Sequence, residues 1–272
     1  MKKNLLLFAI LISFALSAYG CTEKTPSTLD TIKAKKKIIV GTEAAFPPME
    51  FVENEKIIGY NPDLLKEVFK DSGIEIEQVD MPFSGIFMSL ENKKIDAIVT
   101  ATSVTEERKN KFLLTAPTAE DVFVIVVNKN NTTINNTDDL INKNVGYNAG
   151  STPHKQAIAQ NEAYEKEGKD IINIAVFQSH PESFISLKDG RIDALATNEL
   201  VALSFIKQNP DDYKIAFSFG DKKLFSWTVR KEDKELADFI NKRIIELKKN
   251  GKMAELQTKW FGKTWELPDS VY

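Results

Sequence analysis

Residues 89–97 read SLENKKIDA and residues 186–194 read SLKDGRIDA, so the phrase S-L-x-x-x-x-I-D-A occurs twice in the chain. Each copy passes from a helix-forming half into a short apolar run, 97–100 in the first copy and 194–197 in the second. A helix that leads into a buried strand, repeated about a hundred residues later, predicts two similar α/β lobes rather than a short-period solenoid. Two unrelated helix-to-strand junctions that match by chance are the alternative.

Short apolar runs alternate with longer helix-period segments on both sides of the repeat, which is typical of α/β proteins with a largely parallel sheet. Ile38–Gly41 is predicted to be a strand, and the prolines of residues 43–48 end it in a loop. Ligands of open α/β sheets sit beyond the carboxyl ends of the strands, so two lobes predict a cleft between them. The apolar runs 122–127 and 224–229 are predicted to be hinge strands, and the helices of residues 235–260 are expected to return to the first lobe.

The first twenty residues are typical of an export signal. Lys2 and Lys3 precede the apolar run Leu5–Leu16, and small residues lead to Cys21, the single cysteine of the chain. A bilayer-spanning helix needs about 20 apolar residues, so this run predicts export rather than a permanent span. The segment resembles the lipobox of bacterial lipoproteins, which implies that Cys21 is lipidated. A secreted protein with a free thiol is the alternative, because Ala18 stands where leucine is usual.

The composition argues against several classes of partner and chemistry. Of 272 residues, 36 are Lys or Arg and 39 are Asp or Glu, and a formal charge of −3 without a long basic block argues against a nucleic-acid partner. One cysteine and two histidines, His154 and His180, leave too few ligands for a zinc or redox-metal site, so we expect no metal and no cofactor. The sequence also shows no Ser-His or Cys-His pairing of the kind that nucleophilic catalysis uses.

The most informative local segment is TSVTEER at residues 102–108, which follows the first copy of the repeat. A strand end offers backbone N–H groups and the Ser103 hydroxyl, Thr105 suits the start of a helix, and Arg108 supplies a planar cationic fork. This combination suits a carboxylate. A helix with an N-cap and an exposed arginine fits the same spacing.

The chain resembles a known family along most of its length. The phrases that carry the resemblance are GTEAAFPPMEF (41–51), IIGYNPDLLKEV (57–68), PFSGIFMSLENKKIDAIVTATSVTEERKNKF (82–112), NVGYNAGSTPHK (144–155), LKDGRIDALATN (187–198) and LKKNGKMAELQTKWFG (247–262). Together they make residues 36–262 similar to the periplasmic solute-binding proteins of polar amino-acid ABC transporters, the family of the glutamine, histidine and lysine/arginine/ornithine binding proteins.

This resemblance implies the type II periplasmic binding protein fold, an α/β fold of two lobes joined by two hinge strands with a ligand cleft between them. The expected division is a signal peptide at 1–20, a lipidated Cys21 and tether at 21–35, a first lobe of 36–122 plus 224–272, and a second lobe of 123–223. It further implies a periplasmic or cell-surface protein that reaches a membrane only through its N-terminal lipid.

The resemblance also implies how the ligand's α-carboxylate is held. Arg108 would pair with it through both guanidinium nitrogens, assisted by Ser103, by the backbone near Ala101 and by the amide of Thr152 from the second lobe. Each assignment comes from the matching position in the family, and only the 102–108 segment points to a carboxylate from its own residues.

By the same correspondence, Phe46 and Phe83 would sandwich the ligand's side chain, and Glu43 would contact that side chain or the ammonium group. The residues alone leave open alternatives without a role in ligand binding. The two phenylalanines could belong to the core, although a proline-rich loop and a helix start suit cleft-facing aromatics. Glu43 could be an ordinary solvated acid.

Two positions depart from the family pattern. Asn198 stands where the family usually has an aspartate that holds the α-ammonium, and asparagine brings no charge. Glu43 or Glu199 could compensate, or the ligand could present its nitrogen differently. Asn148 stands where some relatives have lysine, so no second cation is expected at the cleft. This disfavours a dicarboxylate and favours a small polar or neutral amino acid.

We therefore predict an extracytoplasmic substrate-binding protein, not an enzyme, that delivers an amino acid to the permease and ATPase subunits of an ABC transporter and acts as a monomer. One alternative is an enzyme similar to cyclohexadienyl (arogenate) dehydratase, which would need Glu43, Glu199 or His154 as its general acid. Another is a binding protein that feeds a chemoreceptor.

Overall fold

The computed structural model describes residues 26–272, so the predicted signal peptide and Cys21 lie outside the described residues. The helices are α1 (Thr28–Lys35), α2 (Tyr60–Phe69), α3 (Phe83–Glu91), α4 (Glu106–Lys111), α5 (Thr152–Lys166), α6 (His180–Lys188), α7 (Glu199–Gln208), α8 (Lys234–Lys249) and α9 (Lys252–Phe261), with a 3₁₀ turn at Thr137–Leu140. The strands are β1 (Lys37–Thr42), β2 (Ala45–Phe46), β3 (Glu50–Glu53), β4 (Lys56–Ile58), β5 (Glu75–Asp80), β6 (Ala97–Ile98), β7 (Phe112–Leu114), β8 (Ala119–Asn128), β9 (Asn144–Asn148), β10 (Asn173–Phe177), β11 (Ala194–Asn198), β12 (Tyr213–Phe225) and β13 (Thr228–Arg230).

Ten of these strands form two five-stranded sheets, in the orders β5-β1-β6-β13-β7 and β10-β9-β11-β8-β12, and β2, β3 and β4 form a small antiparallel hairpin sheet after β1. In the first sheet β1 runs parallel to β5 and β6, and in the second β9 runs parallel to β10 and β11. The other pairs, which involve β13, β8 and β12, are antiparallel. Each sheet is therefore parallel on one side only, whereas the sequence predicted largely parallel sheets. We call the parts of the chain around these sheets the first lobe and the second lobe.

The repeated phrase has the same structural role in both lobes. Asp96 and Asp193 follow α3 and α6, and their carboxylates accept the backbone N–H of Ile39 (2.9 Å) and of Asn144 (2.8 Å), at the start of the neighbouring strand. A methyl group added to Gly41 in β1 would lie 2.5 Å from Ile95, and one added to Gly146 in β9 would lie 2.6 Å from Ile192. The isoleucine before each aspartate thus requires a glycine in the adjacent strand.

The chain passes between the lobes at two places. β8 and β12 pair along most of their length, from Tyr213 opposite Asn128 to Phe225 opposite Ala119. The predicted hinge strand 224–229 is interrupted, because β12 ends at Phe225 and β13 begins at Thr228. Between them Ser226 donates to the Thr102 carbonyl at 3.0 Å. The crossing segments therefore contact the segment that the sequence singled out for ligand binding.

The last two helices pack against elements of the first lobe. The apolar positions of α8, including Leu236, Ile240 and Ile244, recur every four residues and are buried. In α9, Trp260 donates its indole N–H to Asp63 of α2 at 3.0 Å. Within residues 26–272, no helix has the length and apolar character that a membrane crossing requires.

Candidate functional site

A narrow cavity lies between the lobes at the carboxyl ends of the parallel strands. Its wall includes all eight positions predicted to bind ligand, namely Glu43, Phe46, Phe83, Ala101, Ser103, Arg108, Thr152 and Asn198. The remaining lining residues are Phe123, Asn148, Ser151, Pro153, His180, Ala196 and Thr197. The predicted residues, which are up to 155 positions apart in the sequence, are thus brought together around one cavity.

Arg108 is buried at the cavity and forms no ion pair with an acid among residues 26–272. Thr105 caps α4 by accepting the Arg108 backbone N–H at 3.2 Å, and the guanidinium donates to the Ser103 carbonyl at 2.7 Å. Only 6% of Arg108 is exposed, so the alternative of an exposed arginine is wrong. Its guanidinium carbon lies 5.4 Å from the Phe83 ring centre and 5.1 Å from that of Phe87. Burial lowers the pKa of Arg108 to about 10, which leaves it charged at neutral pH.

The N-terminus of α5 faces the same cavity from the second lobe. Ser151 caps this helix by accepting the His154 backbone N–H at 3.3 Å, and Thr152 is the first helical residue. The first backbone N–H groups of a helix have no partner within it and carry partial positive charge. Arg108 and the start of α5 therefore present positive charge to the same cavity from the two lobes.

Two aromatic rings supply apolar surface to the cavity. Phe46 packs edge-on against the His180 ring at 5.0 Å and against Phe225 at 6.2 Å. Phe83 packs edge-on against Phe87 at 5.6 Å. Both side chains are more than nine-tenths buried, so they belong to the core and to the cavity wall at once. The two readings that the sequence left open for them are therefore compatible.

Glu43 meets Asn148 across the cleft. Each lies two positions after the glycine that packs against a repeat isoleucine, Gly41 or Gly146, so the two occupy corresponding places in the two lobes. The Asn148 amide donates to the Glu43 carboxyl at 2.8 Å. Burial raises the pKa of Glu43 to about 8; the hydrogen bond from Asn148 opposes this, and Glu50 adds to it. The alternative of a solvated acid is wrong, because only 3% of Glu43 is exposed.

Three polar atoms of the second lobe are buried beside the cavity without a partner in residues 26–272: Asn148 Oδ1, His180 Nε2 and Asn198 Nδ2. Buried polar atoms are normally paired, so these three are available to a ligand. Burial lowers the pKa of His180 to about 4, which leaves its ring neutral. Sequence analysis did not assign His180 to the site; its position before a proline at a helix start was the available signal.

Of the two acids considered as compensation for Asn198, only Glu43 lines the cavity, since Glu199 is absent from its wall. The position of Ala101 also changes one expectation. Its backbone N–H donates to Glu50 at 3.1 Å, so this amide is not available to a carboxylate ligand. The Ala101 carbonyl is left as the polar group of that residue at the cavity.

Two further contacts join the lobes outside the cavity. Lys155 of α5 lies 2.7 Å from Glu107 of α4, and the Ser84 hydroxyl donates to the Gln178 side chain at 3.0 Å. Both contacts are exposed, and an exposed ion pair such as that of Lys155 with Glu107 contributes about 0–1 kcal/mol. The structure therefore shows the two lobes in direct contact across the cleft.

Two α/β lobes that enclose a buried, charged cavity, with helices and strand ends of both lobes in its wall, define a two-lobe ligand-binding receptor. The chain belongs to the bacterial extracellular solute-binding proteins, family 3, whose family model matches residues 38–263.

The relatives agree with this assignment. The chain is 32% identical to the arginine-binding extracellular protein ArtP of Bacillus subtilis (strain 168), over 96% of this chain and 98% of that protein. It is 28% identical to the L-cystine-binding protein TcyJ of Escherichia coli (strain K12), over 86% of each chain. A crystal structure of ArgBP from T. maritima, in its P235GK form, superposes with a TM-score of 0.79 at 36% identity, over 86% of this chain and 99% of the other.

These similarities confirm the predicted type II periplasmic binding protein fold and the prediction of a solute-binding protein. The relatives are binding proteins rather than enzymes, which agrees with the prediction that this chain is not an enzyme. None of the three named above is a dehydratase.

Proposed function

We propose that this chain is an extracytoplasmic receptor that closes its lobes on an amino acid and delivers it to an ABC transporter. The observation that carries the proposal is the buried guanidinium of Arg108, which faces the start of α5 and has no carboxylate partner in residues 26–272. A buried charge is costly unless it is paired, so the site is built for an anionic group of the ligand.

In the proposed complex the α-carboxylate accepts from Arg108 in the first lobe and from the Thr152 backbone N–H in the second. The side chain lies between Phe46 and Phe83. A ligand that contacts both lobes stabilises the closed state over the open one, which is the only requirement for closure. Ser103 lies beside the carboxylate, with its hydroxyl as a further donor.

The cavity wall favours a neutral or basic side chain over an acidic one. Of the described residues that line it, Arg108 alone carries a permanent positive charge, and His180 is neutral. A second carboxylate would face Glu43 without a cation. The relatives named for arginine and cystine support an amino acid in the site, and their difference shows that the side chain has to be determined by experiment.

We further propose the lobe boundaries 36–122 plus 224–272 and 123–223. The permease and ATPase subunits are the expected partners, and the protein is expected to act as a monomer held at the membrane by lipidated Cys21. One sheet contains β1, β5, β6, β7 and β13, and the other contains β8 to β12, which supports these boundaries.

The test of the proposed function is a thermal-shift screen of residues 22–272 against the proteinogenic amino acids and cystine. An amino acid at 100 times its dissociation constant stabilises the folded state by about 2.7 kcal/mol. We expect a clear rise in melting temperature with one or a few of them. The absence of a shift with all of them would contradict the amino-acid assignment.

Asn198→Asp is expected to tighten binding of an α-amino acid by roughly tenfold. Its side-chain nitrogen is buried without a partner, and a carboxylate there would pair with the ammonium group, which is worth about 1.5–3 kcal/mol when the acceptor is charged. Titration calorimetry measures the change. Asn209→Asp, at the opposite end of α7, is the matched control and should leave affinity unchanged. Equal or weaker binding by Asn198→Asp would show that Asn198 suits a different ligand geometry.

A further inference from the structure

Glu50 does not line the cavity, but it lies directly behind it. It begins β3, is fully buried, and accepts three hydrogen bonds. The donors are the side chain of Asn61 at 2.6 Å, the backbone N–H of Ala101 at 3.1 Å and the Thr100 hydroxyl. A side chain in the hairpin after β1 thus holds two consecutive residues of the segment that forms the cavity wall.

The direction of these hydrogen bonds follows from Trp227, in the segment where the chain crosses between the lobes. Its indole N–H donates to Asn61 Oδ1 at 3.0 Å, and an indole nitrogen can only donate. Asn61 must therefore present its NH₂ group to Glu50. With the Ala101 N–H on its other oxygen, Glu50 accepts at both oxygens, which is the pattern of an ionised carboxylate. Burial raises the pKa of Glu50 to about 7, and these hydrogen bonds oppose the rise.

We infer that Glu50 is a positioning residue for the ligand's α-ammonium group: it turns the Ala101 carbonyl toward the cavity and supplies, through the Thr100–Ala101 backbone, the negative charge that Asn198 lacks. The inference rests on the proposed function. Glu50 occupies the amide of Ala101, which leaves the carbonyl as the free backbone group of that residue at the cavity wall. The carboxylate behind it favours a cation at that carbonyl.

The other charged groups near Glu50 do not take over this role. Glu43 is also a buried acid, but its hydrogen bond goes across the cleft to Asn148, and burial raises its pKa to about 8. Asp80 accepts the backbone N–H of Ala44 at 2.9 Å and is exposed. Arg108 is the cation of the carboxylate end of the cavity. Glu50 is thus the buried acid that is bound to the backbone of the cavity wall.

The first experiment measures whether Glu50 acts on the ammonium group in particular. Affinities of wild type and Glu50→Gln are compared for two ligand pairs, L-arginine with 5-guanidinopentanoic acid and L-glutamine with glutaramic acid, which differ only in the α-ammonium. For whichever pair binds, we expect Glu50→Gln to weaken the binding of the amino acid at least tenfold and the binding of its des-amino partner less than twofold. Asn198→Asp added to Glu50→Gln should restore much of the loss. Equal losses for both members of a pair would overturn the inference.

Loss of fold stability is separated from this effect by two controls. Ile240→Ala, in the buried face of α8 in the first lobe, destabilises the protein at a residue outside the Glu50 hydrogen-bond network and should leave the ratio of the two affinities within each pair unchanged. Thr100→Val removes one donor to Glu50 and keeps the shape of the side chain, so it should lower the ratio of amino-acid affinity to des-amino affinity about two- to fivefold. This test does not require Glu50→Gln to fold. An unchanged ratio in Thr100→Val would count against the inference.

A second measurement does not depend on any ligand. The ¹³C signal of the Glu50 side-chain carboxyl in the empty protein, assigned by its loss in Glu50→Asp, should report an ionised group at pH 8. A protonated carboxyl at that pH would overturn the inference. If Glu50 is ionised but no amino acid binds wild type, the proposed function is contradicted. The ionised state of Glu50 that its hydrogen bonds indicate is then still supported.

Discussion

Arg108→Met is expected to weaken amino-acid binding by about 2–5 kcal/mol, or roughly 30- to 5000-fold, because truncating one member of a buried, hydrogen-bonded charge pair costs about that much. Methionine keeps the length and the packing against Phe83 and Phe87 but offers no donor to the ligand's carboxylate. Lysine would keep the charge and lose the planar fork, so the affinity of Arg108→Lys should lie between that of wild type and that of Arg108→Met. Titration calorimetry with the amino acid found in the screen measures the loss.

The same substitution should not unfold the protein. In the empty cavity Arg108 is a buried cation whose hydrogen bond within residues 26–272 goes to a carbonyl, and such a charge does not stabilise the fold. Arg191→Met is the matched control, because Arg191 is exposed and paired with Asp189 at 2.7 Å, away from the cavity wall. Affinity within about threefold of wild type in Arg108→Met would contradict the proposed role.

The second large effect concerns pH. We expect the empty protein to lose stability as the pH rises from about 5 to 8. The folded state raises the pKa of Glu43 from 4.5 to about 8, that of Glu50 from 4.5 to about 7 and that of Asp121 from 3.8 to about 7, in each case chiefly through burial. A raised carboxyl pKa means that the folded state binds the proton more tightly. The stabilisation that this proton binding gives the folded state is complete below the pKa of the unfolded chain. It is lost as the pH rises through the pKa of the folded protein.

Glu43 makes the largest contribution to this loss, on the order of a few kcal/mol, because its pKa is raised furthest above that of an unfolded glutamate. Glu43→Gln removes its titration and keeps an acceptor for Asn148. Urea unfolding at pH 5, 6.5 and 8 should therefore show a flatter pH dependence in Glu43→Gln than in wild type. Glu53→Gln, on the exposed end of the neighbouring hairpin, is the control that should follow wild type. Identical curves for wild type and Glu43→Gln would contradict the buried, proton-binding state of Glu43.

The repeated phrase predicted much of the fold because its reasons are local. A helix end, an isoleucine and an aspartate occur in the same order in both copies, and this order marks the junction from a helix to a strand. In the structure Asp96 and Asp193 each also accept a backbone N–H from the neighbouring parallel strand. The hinge was harder to predict. Residues 224–229 are apolar throughout, and nothing in their periodicity shows that the strand stops at Phe225 while Trp227 turns inward to Asn61.

The candidate site, like the fold, was predictable from the sequence only in part. Arg108 and its cap were predictable from one short segment, and the aromatic and acidic positions came from the family resemblance. The pairing of Glu43 with Asn148 joins residues 105 positions apart, and the contact of Glu50 with Ala101 joins residues 51 apart. Such contacts depend on how the lobes and the hairpin meet, which no local pattern contains. His180 was missed for the same reason, because its burial against Phe46 exists only when the cleft is formed.

The central claim is that this cleft holds an α-amino acid through its carboxylate. It is tested most directly by denaturing protein purified from its own cells and identifying the released small molecule by mass spectrometry. We predict one α-amino acid in near-equimolar amount from wild type and its loss from Arg108→Met. A near-equimolar ligand without an α-carboxylate, or an equal yield of the amino acid from Arg108→Met, would contradict the account.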